Sequence, residues 1–203
     1  MHENAKRVKS AHMLDLRVAT SPAWLDVVLS DFDAFLLDHA ACERKASATG
    51  MSFVVRYPDR QPLLEPLIEF AREELEHFHR VFRVIAARGL TLQPDTKDEY
   101  VNQLLKRVRT GGGDAMLLDR LLVAGIVEAR GCERLRMVAS AELGPELSEL
   151  YDDLGRAEAR HHALFFRLAR RIAPDSEVQE RANELLDYEA RVVAELPLRA
   201  AVH

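Results

Sequence analysis

Four glutamates and two histidines (Glu43, Glu74, His77, Glu128, Glu158 and His161) stand in the order and spacing that a carboxylate-bridged two-metal centre requires. Glu43 precedes Glu74 by 31 residues and Glu128 precedes Glu158 by 30. In each case the second glutamate opens a Glu-x-x-His pair, closed by His77 and His161, so the chain reads as two copies of one helix pair. The copies are offset by 85 residues at the lone glutamate and by 84 at both members of the pair. In a four-helix bundle, one inward Glu from each of two helices and an i, i+3 Glu/His pair from each of the other two supply the ligands of a di-metal site. Carboxylates with one imidazole per metal form a hard, electron-rich site suited to iron or manganese. Zinc usually takes fewer oxygens and four-coordinate geometry. Four carboxylates nearly neutralise two divalent ions, with Glu74 and Glu158 expected to bridge and Glu43 and Glu128 to be terminal. Reduced metals with open positions bind oxygen, so the pattern points to an oxygen-activating enzyme with no catalytic residue beyond the metal ligands.

Glu-x-x-His alone is weak evidence, since roughly one is expected by chance in a chain of this composition. A third pair, Glu76 and His79, illustrates the bland alternative of charges on a solvated helix face. Glu76 lies about 200° around the helix from Glu74, so only one of the two pairs faces the interior, and the repeat selects 74/77. A competing register comes from the tripeptide Cys-Glu-Arg at 42–44 and again at 132–134, which aligns Glu133 with Glu43. Glu133 is about 140° from Glu128 around the helix. Glu128 follows the apolar stretch 121–127, where an ionised side chain needs a partner such as a metal. Glu133, among Arg130, Arg134 and Arg136, reads as an ion-paired surface residue. Each ligating histidine needs an acceptor for its second ring nitrogen, and Asp38 and Asp153 are candidates.

The elements that must position these ligands are long helices. Pro22 opens a short helix, and Asp31 or Asp33 caps a long one running to Val55. Pro58 and Pro62 break it, and the next helix runs from Pro62 to Arg88 with Gly89 as its stop. Leu64, Leu67, Ile68, Phe70, Ala71, Leu75, Phe78, Phe82 and Ile85 form its apolar stripe. Residues 90–113 make one long connection with a small helix at about 97–109. Asp114 caps a helix to about Glu142, Gly144 and Pro145 turn the corner, and the fourth long helix runs to about Ile172. An acidic helix at about 175–194 closes the chain. The predicted fold is all-α, a ferritin-like four-helix bundle with one long crossover and additional short helices. We expect a single domain over residues 1–203 with its bundle core at about 22–174.

With 203 residues, 48% of them hydrophobic, and a net charge of −5, the chain is long enough for a substantial core and is not disordered. No apolar run approaches the ~20 residues of a membrane span, and residues 1–9 lack the apolar segment of a secretory signal. These features predict a cytoplasmic protein without a membrane partner. Cys42 and Cys132 are too few for a disulfide framework and read as structural thiols.

Four segments together resemble the bacterial tRNA 2-methylthio-N6-isopentenyladenosine hydroxylases: Asp38-His39-Ala40-Ala41-Cys42-Glu43-Arg44-Lys45-Ala46, Ala71-Arg72-Glu73-Glu74-Leu75-Glu76-His77-Phe78, Val127-Glu128-Ala129-Arg130-Gly131-Cys132-Glu133-Arg134, and Glu158-Ala159-Arg160-His161-His162. The resemblance spans about Pro22 to Pro174. It implies a ferritin-like monooxygenase with two iron ions held by the same six residues, molecular oxygen as co-substrate and an external electron donor of the ferredoxin/reductase type. The implied substrate is the isopentenyl group on the hypermodified adenosine just 3′ of the tRNA anticodon, presented on the anticodon stem-loop.

An overall acidic chain does not announce nucleic-acid binding. Its charge is unevenly spread, because the stretch after Pro174 carries seven carboxylates against three arginines. Arg44, Lys45 and Arg56 lie in 44–58 without an acid, as do Lys106, Arg107 and Arg109 in 101–113, and these six are the candidate RNA contacts. Arg156, Arg160, Arg167, Arg170 and Arg171 share one helix, and the run 156–171 has only Glu158 against them. The alternative function is a ferritin-like di-iron peroxidase or iron-oxidising protein. The absence of a Cys-x-x-Cys pair removes a rubredoxin-type domain, and the expected monomer would exclude a storage cage. A metal-free helical binding module is the third reading.

Overall fold

The computed structural model describes residues 13–203; the polar stretch at 1–9 lies outside them. After a short 3-10 turn at Met13–Asp15, Ser21 accepts from Ala23 N and Pro22 fills the first turn of α1 (Pro22–Ser30). Asp31 is the cap used by α2 (Phe32–Arg56), accepting from Ala34 N at 3.1 Å, whereas Asp33 pairs with Arg88. Pro62 sits in the first turn of α3 (Gln61–Ala87), where its missing N–H has no helical partner to lose. Gly89, at φ 70, ends that helix, with Leu90 N donating back to Ile85 O.

The crossover holds α4 (Glu99–Leu105), shorter than the predicted 97–109. Asp98 caps it, and the Arg109 N–H donates to Asp119 at 2.8 Å, turning the chain out of the helix. The next helix, α5 (Gly113–Ala139), starts on Gly112 at φ 81, a backbone state that favours glycine, so Asp114 is not its cap. Asp114 instead pairs with Arg60 from its place in the first turn. After Gly144 comes α6 (Pro145–Ala169), which ends short of Ile172 by tightening into Arg171 N→Leu168 O and Ile172 N→Ala169 O bonds. The acidic helix is α7 (Asp175–Glu195).

Pairing of α2 with α3 and of α5 with α6 gives two helical hairpins, joined by the crossover and touching through α3 and α6. The fold is an all-helical, ferritin-like bundle with α1, α4 and α7 packed outside it. Each hairpin carries a glycine where its helices nearly meet. A Cβ at Gly50 would lie 2.8 Å from Phe70 Cδ1, and one at Gly125 would lie 2.9 Å from Phe166 Cδ2. No helix among the described residues is long and apolar enough to cross a membrane.

Two apolar clusters fill the bundle, one around Phe53, Phe70, Leu121 and Phe165 and the other around Phe35, Val81, Leu135 and Tyr151. On every bundle helix the proposed ligands fall between members of the two clusters, forming a polar layer across the core. On α3 the stripe differs from expectation: Leu63 and Val81 are buried, while Leu75 and Phe82 are 56% and 39% exposed. Glu74 and His77 fix the inward direction, and at 100° per residue Leu75 and Phe82 point well away from it.

Candidate metal centre

All six candidate ligands are buried and converge, with Glu43 from α2, Glu74 and His77 from α3, Glu128 from α5, and Glu158 and His161 from α6. His161 Nδ1 lies 2.6 Å from Glu74 Oε1 and 3.5 Å from Glu128 Oε2. His77 Nδ1 lies 3.5 Å from Glu43 Oε2 and 3.6 Å from Glu74 Oε2. Ligand atoms of Glu74, His77, Glu158 and His161 all sit within 4.8 Å of one another. Both Glu74 oxygens and the Nδ1 of both histidines are buried and crowd one another without a hydrogen bond of good geometry. Buried polar atoms are almost always satisfied, and a pair of cations would satisfy these together. Glu74 stands between the two imidazoles, where its two oxygens could serve both metals.

The electrostatics agree with that donor set. Burial, then the carboxylates of Glu158 and Glu43, push Glu74 up to about 8. Burial and Glu158 push Glu128 well above the usual carboxylate range. For His77 burial acts against the charged ring, but the carboxylates of Glu43 and Glu74 beside it raise it to about 10. Without metal the cluster therefore holds protons to limit its own negative charge. Divalent cations held by these six residues would take the place of those protons.

One carboxylate stands behind both histidines. Glu73 Oε2 lies 3.1 Å from His161 Nε2, and its Oε1 lies 3.9 Å from His77 Nε2. A carboxylate only accepts, so the Nε2 proton of His161 points outward and Nδ1 is the ring nitrogen left to face the cluster and serve a metal. The His161 hydrogen bond is the largest influence on Glu73; with the Arg160 ion pair it outweighs burial and holds the acid at about 2. The expected partners do not serve. Asp38 accepts from Val202 N at 2.7 Å, and Asp153 faces Arg80 at 3.3 Å. Glu73 was detectable in the sequence, standing four residues before His77 on one helix face. Glu73→Ala is expected to weaken metal affinity about 10–100-fold, measured by competition with a chelator, with Asp153→Ala unchanged. Equal affinities in the two variants would remove Glu73 from this role.

Glu43 has its own support. His39 Nε2 lies 2.6 Å from Glu43 Oε1, and His39 Nδ1 lies 3.4 Å from the Tyr151 hydroxyl. Glu76 and His79 are solvent-facing, 3.9 Å apart. Glu133 is away from the ligands but is not a surface residue: it is 7% exposed, pairs with Arg130, and accepts from Thr20 N at 3.0 Å and Thr20 Oγ1 at 2.6 Å. The run of arginines beside it marks a buried ion-pair network. Cys42 is half-buried, Cys132 is buried, and both are free thiols.

A cavity of about 210 Å³ leads to the cluster between α2 and α5. Ala46, Phe53, Val123, Ala124, Val127 and Phe165 line its walls, and Glu43, Glu128 and Glu158 stand in its lining. Of the candidate RNA contacts, Lys45 reaches this cavity and donates to Thr96 O at 3.3 Å. Arg44 pairs with Asp95 at 2.5 Å, Lys106 lies 3.8 Å from Glu99, and Arg107 stacks on Tyr188. Arg109 clamps the fully buried Asp119 at 2.8 Å, a structural ion pair. Arg56 meets no carboxylate among the described residues. In the arginine-rich run of α6, Arg156 pairs with Asp152, Arg160 with Glu73, and Arg170 with Asp175.

Fold and site together define a ferritin-like protein with a buried carboxylate and histidine centre of the kind that holds two iron ions. The family described as tRNA-(MS[2]IO[6]A)-hydroxylase (MiaE) matches residues 8–203. The chain belongs to that family. A tRNA 2-(methylsulfanyl)-N(6)-isopentenyladenosine(37) hydroxylase of Pseudomonas putida is 33% identical over 159 residues, covering 78% of this chain and 77% of that protein. The hydroxylase of the same description from Salmonella typhimurium is 28% identical over 197 residues, covering 93% and 72%. Among solved structures, protein 43 with aldehyde deformylating oxygenase activity from Synechococcus superposes with a TM-score of 0.85 at 37% identity, covering 91% of this chain and 92% of that one.

Proposed function

We propose that this chain, acting as one ferritin-like domain, hydroxylates the isopentenyl group of 2-methylthio-N6-isopentenyladenosine beside the tRNA anticodon. Its metals are two iron ions held by Glu43, Glu74, His77, Glu128, Glu158 and His161, its co-substrate is molecular oxygen, and its electrons come from an external ferredoxin/reductase-type donor. The observation that carries this reading is the apolar cavity between α2 and α5, which has three of the six ligands in its lining. At about 210 Å³ it is smaller than the ~300–1,000 Å³ of typical ligand sites, a size suited to a branched hydrocarbon chain rather than a whole nucleotide. Peroxide or ferrous ions would need no such apolar channel.

Bound iron supplies the reduction and cleavage of oxygen. Overall, a C–H bond of the side chain becomes C–OH, the second oxygen atom leaves as water, the donor provides two electrons and solvent provides two protons. The protein's part is positional. Ala46, Val123, Ala124 and Val127 hold the hydrocarbon and exclude water, and Glu73 keeps the His161 ring turned toward the metals. A base in an unpaired loop is already accessible, so its side chain enters at little unstacking cost. The test is mass spectrometry of tRNA nucleosides from cells with and without the chain, grown under labelled oxygen. The expected result is a hydroxylated nucleoside carrying one labelled atom only when the chain is present. Unaltered tRNA, together with rapid peroxide consumption by the reduced protein, would favour the peroxidase reading.

A further inference from the structure

We propose that Arg120 is a phosphate-binding positioning residue at the cavity mouth, holding a phosphate next to the modified adenosine; this rests on the hydroxylase reading above. Arg120, Ala124, Val127, Glu128 and Gly131 lie along one wall of the cavity on a single face of α5. The eight steps from Arg120 to Glu128 rise about 12 Å along the helix, and Arg120 is half-buried where the ligands are buried, so the guanidinium stands on the more exposed part of the same wall. Its Nη2 donates to Ser52 Oγ at 3.1 Å, and the group lies 5.1 Å from the Phe53 ring centroid. Among the described residues no carboxylate pairs with it. The ionisable neighbours that act on it are Arg56 and Tyr57, and burial together with Arg56 disfavours its charge. Lys45, the other long cation of the lining, is already engaged with Thr96 O.

A side chain inserted in the cavity fixes where the rest of its nucleotide must be. The purine and ribose then lie toward the mouth, and the flanking phosphates lie beyond them. A half-buried guanidinium without a counter-ion matches a phosphate there, through parallel N–H donors and full charge.

The test uses the metal-loaded full chain as wild type, Arg120→Gln and Arg120→Lys, with a modified anticodon stem-loop and the free modified nucleoside as probes. Glutamine keeps the side-chain stem and a donor for Ser52, which protects the fold. For Arg120→Gln the slope of stem-loop binding against salt should fall by about one on logarithmic axes. KM for the stem-loop should rise several-fold with kcat retained, and KM for the nucleoside should not move. Arg120→Lys should recover most of the slope. An unchanged slope, or equal losses on stem-loop and nucleoside, overturns the proposal. Binding is read independently of turnover, so the two readings separate. A slope that falls in Arg120→Gln while the wild type incorporates no oxygen keeps the phosphate site and loses the hydroxylase; normal hydroxylation with an unchanged slope does the reverse.

Discussion

Glu74→Ala is expected to lower the metal content of the purified chain from about two ions to below one and to abolish oxygen-dependent turnover. Glu74 is fully buried, neither of its oxygens makes a hydrogen bond of good geometry, and it stands beside Nδ1 of both histidines. Its removal therefore affects both metal positions at once, more than the ~10–100-fold that loss of an outer partner costs. Glu76→Ala, two residues away on the solvent side, should retain full metal and full activity. Metal analysis and single-turnover oxygen consumption on the two variants measure the difference. Normal metal content in Glu74→Ala would refute the ligand assignment.

Glu189→Ala should be the most damaging substitution outside the metal layer. Arg130 is completely buried and lies 2.8 Å from Glu189 on one side, with Glu133 on the other. Tyr100 donates to the same Glu189 oxygen at 3.0 Å. Arg134 shares the network, and burial followed by the charge of Arg130 has already lowered it to about 10. Removing one glutamate leaves a surplus buried positive charge, for which about 3–5 kcal/mol is the usual penalty, a loss of roughly 6–20 °C in Tm for a chain of this size. Arg130→Met combined with Glu189→Leu should recover most of that loss, because a well-packed apolar pair replaces a buried ion pair at little net cost. Thermal melts read by circular dichroism decide it. A fall of only a degree or two in Glu189→Ala would show that the network contributes little to stability.

The ligands were legible because the chain repeats. Each of the six has a counterpart of the same type 84 or 85 residues away, and helical periodicity separated Glu74 from Glu76. What the repeat does not share, it hides. The counterpart of Glu73 is Ala157, that of His39 is Ala124, and that of Arg120 is Phe35, so the groups behind and around the ligands gave no repeated signal. Glu133 was misplaced on the surface because neighbouring arginines look alike in sequence whether they face water or a buried carboxylate. The start of α5 was set by backbone state rather than by a side-chain cap, which is why Gly112 displaced Asp114. The stretch 101–113 looked purely basic in sequence, yet Arg109 spends its charge on Asp119, ten residues further on.

Duplication made the ligand set symmetric, but the supports around it are not. Glu73 anchors the far side of the histidines, and His39 ties Glu43 through to Tyr151. Glu128 has no such tether; where His39 would stand, its helix has Ala124, and the partners of Glu128 lie inside the cluster at Glu158 and His161. Outer support is thus unequally distributed around a nominally twofold centre: it backs Glu43 and the histidines, while Glu128 and Glu158, both in the cavity lining, find their partners within the cluster.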